Sequence, residues 1–347
     1  MSHRSFARGL LIVAILASGV VAQAVTIDTV HVGNPGNAGE LSGTGAGGWG
    51  PDVIVGGVAY TYQIGKFEVT TAQYTQFLNA VAQTDTYGLY NAEMWSNTYG
   101  CKIERSGTSG SYAYSVAPDR ADRPVNYVSW GDAARFANWL GNGQPTGPQG
   151  MSTTEDGSYR LSGATSKDAL LAVTRKPSAT WVIPTEDEWY KAAYHKNDGV
   201  TANYWDYPTS TNSVPDNGNP GGDTGNSVNY YDGDKAVGSP YYTTPVGFFA
   251  LSKSACGTFD QAGNLLEWCE TDILHSWRGV RGGGWGDSAQ YLPASSRGYG
   301  EDPSGEGIGI GFRVASTLPE PSSLAMLVGL VLTTLLYWWR KRAHLLC

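Results

Sequence analysis

Gly257-Thr-Phe-Asp-Gln-Ala-Gly-Asn-Leu-Leu-Glu-Trp268, answered shortly afterwards by Arg281-Gly-Gly-Gly-Trp285, is the stretch on which the reading of this chain turns. Asp260 and Glu267 supply two hard carboxylates, and Gly263 between them lets backbone approach closely, the oxygen-rich surroundings that Ca²⁺ takes. The same letters also read as an Asp-x-x-Gly turn running into a buried strand over 265–268, with Glu267 turned to solvent. By itself the stretch leaves both readings open.

Working outward, the 347 residues carry 41% hydrophobic side chains, enough for a full core, and a net charge of −8 that argues against a nucleic-acid partner. Forty-six Gly, 21 Tyr and 12 Trp with only 16% charged residues describe a loop-rich domain with many rigid aromatics, a composition common in exported ligand-binding domains. Arg4 and Arg8, the apolar run 10–21 and Ala22-Gln-Ala24 follow the order of a secretory signal peptide, so residues 1–24 are expected to be removed. At the other end, Leu318-Pro-Glu-Pro321 precedes an apolar stretch over 324–339, at the lower limit for a transmembrane helix, and then Arg340-Lys-Arg342. That tail, 317–347, resembles the PEP-CTERM sorting signal. The resemblance implies processing by an exosortase and export to the cell envelope or extracellular matrix, with at least transient membrane anchoring.

Three helix starts carry capping-box patterns. Thr70-Thr-Ala-Gln73 precedes Tyr74, Phe77, Leu78 and Val81 on one face; Ser129-Trp-Gly-Asp132 precedes Ala133, Phe136, Ala137 and Leu140, closed by Gly141; Thr185-Glu-Asp-Glu188 precedes Trp189, Ala192 and Ala193. Residues 58–69 alternate as a strand should. The Gly-rich segment 25–57 reads as an irregular entry with a strand at 26–32, and 203–238 offers turn chemistry rather than periodicity. Asp216-Asn-Gly-Asn-Pro-Gly-Gly-Asp223 lacks EF-hand spacing and reads as a solvated loop. Once the tail is removed, Cys101, Cys256 and Cys269 allow at most one disulfide, with no pairing selected by the sequence.

Five segments together resemble the formylglycine-generating enzyme (sulfatase-modifying factor) family: Phe67-Glu-Val-Thr-Thr-Ala-Gln-Tyr74, Arg123-Pro-Val-Asn-Tyr-Val-Ser-Trp130, Ile183-Pro-Thr-Glu-Asp-Glu-Trp189, the opening stretch with its Arg281-Gly-Gly-Gly-Trp285 partner, and Gly311-Phe-Arg-Val-Ala315. They run in the family's order over 58–316. The resemblance implies an α+β, duplicated C-type-lectin-like fold with two principal helices, small antiparallel sheets and much irregular loop. It also implies a structural calcium held by the Asp260 and Glu267 side chains and the Gly263 and Leu265 carbonyls, and a second drawing on the Asn229 side chain and the Tyr230 carbonyl.

The departure from the family lies in its chemistry. Oxidase members hold Cu(I) through two thiolates shortly after the Arg-Gly-Gly motif, soft ligands for a soft ion. At the matching positions stand Asp287 and Leu292, so copper is not expected there. His31, His195 and His275 form no recognisable facial triad, and Arg281 and Arg313 read as core residues that bond carboxylates or carbonyls. Two readings follow. The first is a calcium-stabilised module that binds a glycan, matrix or protein ligand. The second is an oxidoreductase of the same family with a different centre or substrate.

Overall fold

The computed structural model describes residues 24–219 and 221–317; the expected signal peptide (but for its last residue) and the expected membrane span at 324–339 lie outside them. Among the described residues no helix is long and apolar enough to cross a membrane. Three helices of nine or more residues form: α1 (Thr71–Val81), α2 (Trp130–Gly141) and α3 (Glu186–Tyr194). Each starts at one of the predicted capping boxes, with Thr70, Ser129 and Thr185 accepting from the amides of Gln73, Asp132 and Glu188 while those side chains reach back to the cap amide. Both otherwise unpaired ends of the first turn are thereby satisfied.

The expected inward faces are buried, and so is more. Helix α2 is enclosed on every side, including Arg135 and Asn138. Gly141 is its last helical residue rather than its stop, and Asn142 caps it; a Cβ at Gly141 would lie 2.8 Å from Thr180 Oγ1, so close packing selects the glycine. Phe77 of α1 meets Phe136 and Trp139 of α2 at ring separations of 5.3 and 5.2 Å, and Phe136 meets Phe312 at 5.4 Å. This aromatic stack joins the two helices to the closing motif of the chain.

The main sheet has four antiparallel strands, β1 (Thr29–Val32), β2 (Tyr62–Gly65), β3 (Trp181–Val182) and β7 (Ala315–Ser316), in the order β1-β2-β7-β3. A second sheet pairs β4 (Leu266–Ile273) antiparallel with β5 (Trp277–Arg281), while β6 (Ile310–Gly311) runs parallel to β4. The strand expected over 58–69 is only four residues long, and all four are buried, because β1 and β7 flank it on both edges. The entry segment is also more than a lead-in: β1 completes the sheet, and Glu40–Ser42 forms a hairpin with Val53–Val55 that is tied down by Ser42 Oγ donating to the Ala294 carbonyl. Few helices, small sheets and abundant loop make this an α+β fold of the C-type-lectin-like kind expected, with three substantial helices in place of two.

Candidate functional site

Asp260, Gly263 and Asn264 all adopt left-handed backbone conformations, at φ of 60°, 74° and 59°. Asp, Asn and Gly tolerate that region best, which is why this composition makes the turn. Gly263 has a second reason: a Cβ there would sit 2.3 Å from the Asn229 carbonyl oxygen. The turn gathers distant segments. Gly263 N–H donates to Gly282 O, Asn264 N–H to Asn229 O, and Trp285 N–H to Asn264 O, at 2.7–3.0 Å. The Asn264 side chain donates to Glu68 (2.7 Å) and accepts from the Thr244 amide (3.0 Å) and from Asn229 Nδ2 (3.1 Å).

Beyond the turn, β4 carries Glu267 into full burial rather than to solvent. Its carboxylate is forked by the guanidinium of Arg313, and Oε2 also accepts Trp189 Nε1–H at 2.8 Å. Glu267 was expected as a calcium ligand. In the fold both its oxygens are already engaged, and a cation added there would face Arg313, which is itself wholly buried. The arginine expectation is met: Arg313 also bonds the Gly65 and Phe259 carbonyls, and Arg281 pairs with Glu186 and bonds Ser296 O.

Asp260 is half-buried and accepts Gly247 N–H at 2.6 Å; desolvation of its carboxyl pushes it up to about 6 despite that bond and nearby Arg313. Glu68, which the sequence did not single out, is pushed well above the usual carboxylate range by burial and then by Asp260 and Glu267. Glu68 and Asp260 thus lie near the one guanidinium that forks Glu267, and burial favours the neutral form of both. Among the described residues no group of three or more His, Cys, Asp or Glu side chains is arranged to hold a metal ion, so a calcium would depend on carbonyl and amide oxygens. One such oxygen stands out. Asn229 Oδ1 is buried and accepts no hydrogen bond, while the amide's nitrogen serves Tyr242 O and Asn264. Of the expected oxygen ligands, Asn229 Oδ1 is thus an acceptor left open to a hard cation, whereas the Glu267 carboxylate is engaged by Arg313 and Trp189.

At the two positions where the oxidases carry thiolates, neither side chain offers sulfur. Asp287 accepts the Gly284 amide at 2.8 Å, closing its own turn, and burial raises its carboxyl. Leu292 is fully buried in an apolar cluster with Tyr207, Val228, Tyr230 and Ala262. Cys101, Cys256 and Cys269 are all free. Burial pushes the first two thiols up to about 11 and Cys269 well above its usual value, so none is a ready thiolate. Among the described residues the histidines sit in separate local networks, with His31 beside Gln63, His195 bonded to Asn197 and Thr201, and exposed His275 against Asp272.

No curated protein matches the chain. Among solved structures, that of CarF is similar at a TM-score of 0.50 and 21% identity, covering 85% of this chain and 99% of that one. Treponema denticola variable protein 1 is similar at a TM-score of 0.51 and 18% identity, covering 86% and 100%. At such identities the likeness concerns the fold alone. Residues 57–318, most of the chain, match the sulfatase-modifying factor enzyme 1-like domain, and the chain belongs to that family.

Proposed function

We propose that this protein is an exported, surface-associated ligand-binding module of the sulfatase-modifying-factor fold, stabilised by calcium and lacking the copper centre of the formylglycine-generating oxidases. The observation that carries the reading is the donor set at 287 and 292. A carboxylate committed to its own turn and a buried leucine provide no soft ligand for Cu(I), and the thiols of Cys101, Cys256 and Cys269 are held protonated by burial. Calcium is supported by the buried, orphaned Asn229 Oδ1 beside Tyr230. When bound, a calcium ion would supply a fixed positive charge there; the chain's own contribution is the amide and carbonyl oxygens that the turn at 260–264 orients. Export, anchoring and exosortase processing are supported by the order of charged, apolar and Pro-Glu-Pro segments at the two ends.

The test is incubation of the purified protein with a sulfatase-motif peptide, copper and a reductant, followed by mass spectrometry of the peptide cysteine. No conversion to formylglycine is expected. Turnover abolished by a copper chelator would establish the oxidoreductase reading in its place.

A further inference from the structure

Trp285, which ends the Arg-Gly-Gly-Gly-Trp motif, does not pack alone. Tyr99 stacks on it with ring centroids 5.2 Å apart, Tyr242 lies 5.0 Å from it, and Tyr99 and Tyr242 meet at 4.7 Å. Lys235 places its ammonium over all three rings, 4.5 Å from the centroid of Tyr242, 4.9 Å from Trp285 and 5.9 Å from Tyr99. A cation within about 6 Å of a ring centroid is attracted by the π face, and here one cation meets three. Lys235 makes no ion pair with a carboxylate among the described residues, so the aromatic faces receive its charge.

The walls are fixed and the occupant is tethered. Tyr242 has a φ of 64°, a strained conformation for an aromatic residue, held by its carbonyl accepting from Asn229 Nδ2 and by its neighbour Tyr241, whose ring lies under Arg120 and Arg123 at 4.6 and 4.0 Å. The Tyr99 carbonyl accepts Asn126 Nδ2, and Trp285 N–H is bonded to Asn264 O. Lys235, by contrast, reaches in on a flexible four-carbon stem from a segment whose residues 231–234 are exposed.

We infer that Tyr99, Tyr242 and Trp285 form a binding site for a weakly hydrated organic ammonium group, with the Lys235 side chain as a built-in competitor that occupies it in the free protein. A cage with no carboxylate offsets little of the hydration lost by a primary ammonium, so an alkylated ammonium gains more from the same three rings. The inference names the ligand class for the binding-module reading and rests on it; its test involves no cysteine oxidation, so either can fail without the other.

Tetramethylammonium and choline are titrated calorimetrically into the purified protein at constant ionic strength, with the uncharged choline isostere 3,3-dimethylbutan-1-ol as control. Lys235→Ala is expected to bind tetramethylammonium roughly tenfold more tightly than the parent by removing the competitor. Trp285→Leu in that background is expected to abolish binding. Tyr99→Leu, at a half-exposed wall and less disruptive to folding, is expected to weaken it severalfold. Equal affinity of Lys235→Ala and the parent, or equal binding of choline and its neutral isostere, would overturn the inference.

Discussion

Replacing Glu267 by Gln tests the central organising interaction. The substitution keeps shape and one acceptor oxygen but leaves the Arg313 guanidinium, wholly buried, without its partner, and turns an NH₂ toward either Arg313 or the Trp189 indole N–H. Removing one partner of a buried pair costs about 3–5 kcal/mol. Arg313 keeps its bonds to the Gly65 and Phe259 carbonyls, and Glu68 and Asp260 still act on its charge, which places the loss near the lower end, about 3 kcal/mol. For a domain of this size that corresponds to a drop of roughly 6–12 °C in Tm. Urea unfolding monitored by tryptophan fluorescence, with calorimetry alongside, measures both quantities. The double variant Glu267→Gln/Arg313→Met should recover part of the loss, because the unpaired charge is gone. A single-variant loss below about 1 kcal/mol would refute the argument that this pair holds β4 to the closing motif.

Calcium and pH supply further checks. If calcium binds at Asn229 and Tyr230, a chelator should lower Tm, by an amount worth about 2.7 kcal/mol where calcium had stood at a hundred times its Kd; identical midpoints with and without chelator would remove the ion from the account. Glu306, pushed up to about 8 by burial and then by Asp132, holds a proton in the fold that the unfolded chain releases near 4.5. Its contribution to stability is therefore full below about pH 4.5, declines as pH rises and is lost above about 8. Glu306→Gln should flatten the parent's fall in stability between pH 5 and 8, and a fall of unchanged slope would show that this carboxyl is not responsible. Glu186 has the opposite sign: burial alone would raise it, but Arg281 and Arg297 outweigh burial and hold it below its usual value. Stability from Glu186 is present above the unfolded pKa and lost as acid takes the pH below it, so Glu186→Gln should lower urea stability at pH 7 and converge on the parent toward pH 3.

What the sequence determined by itself was local. Capping boxes at Thr70, Ser129 and Thr185 need only residues three apart, so all three helix starts were legible, as was the turn at 260–264 through its Asp, Gly and Asn. Tertiary structure decided whatever depends on distant partners. The strand at 62–65 is cut short and buried on both edges by strands from 29–32 and 315–316, which no alternation within 58–69 encodes. Glu267 looked like a metal ligand or a solvent-facing acid, and became the partner of an arginine 46 residues away. Glu68 and Trp285 stood in recognisable motifs but without a role, and Tyr99, Lys235 and Tyr242 gave no signal at all, since carboxylates and aromatics become a site only when the fold brings their charges and π faces within a few ångströms.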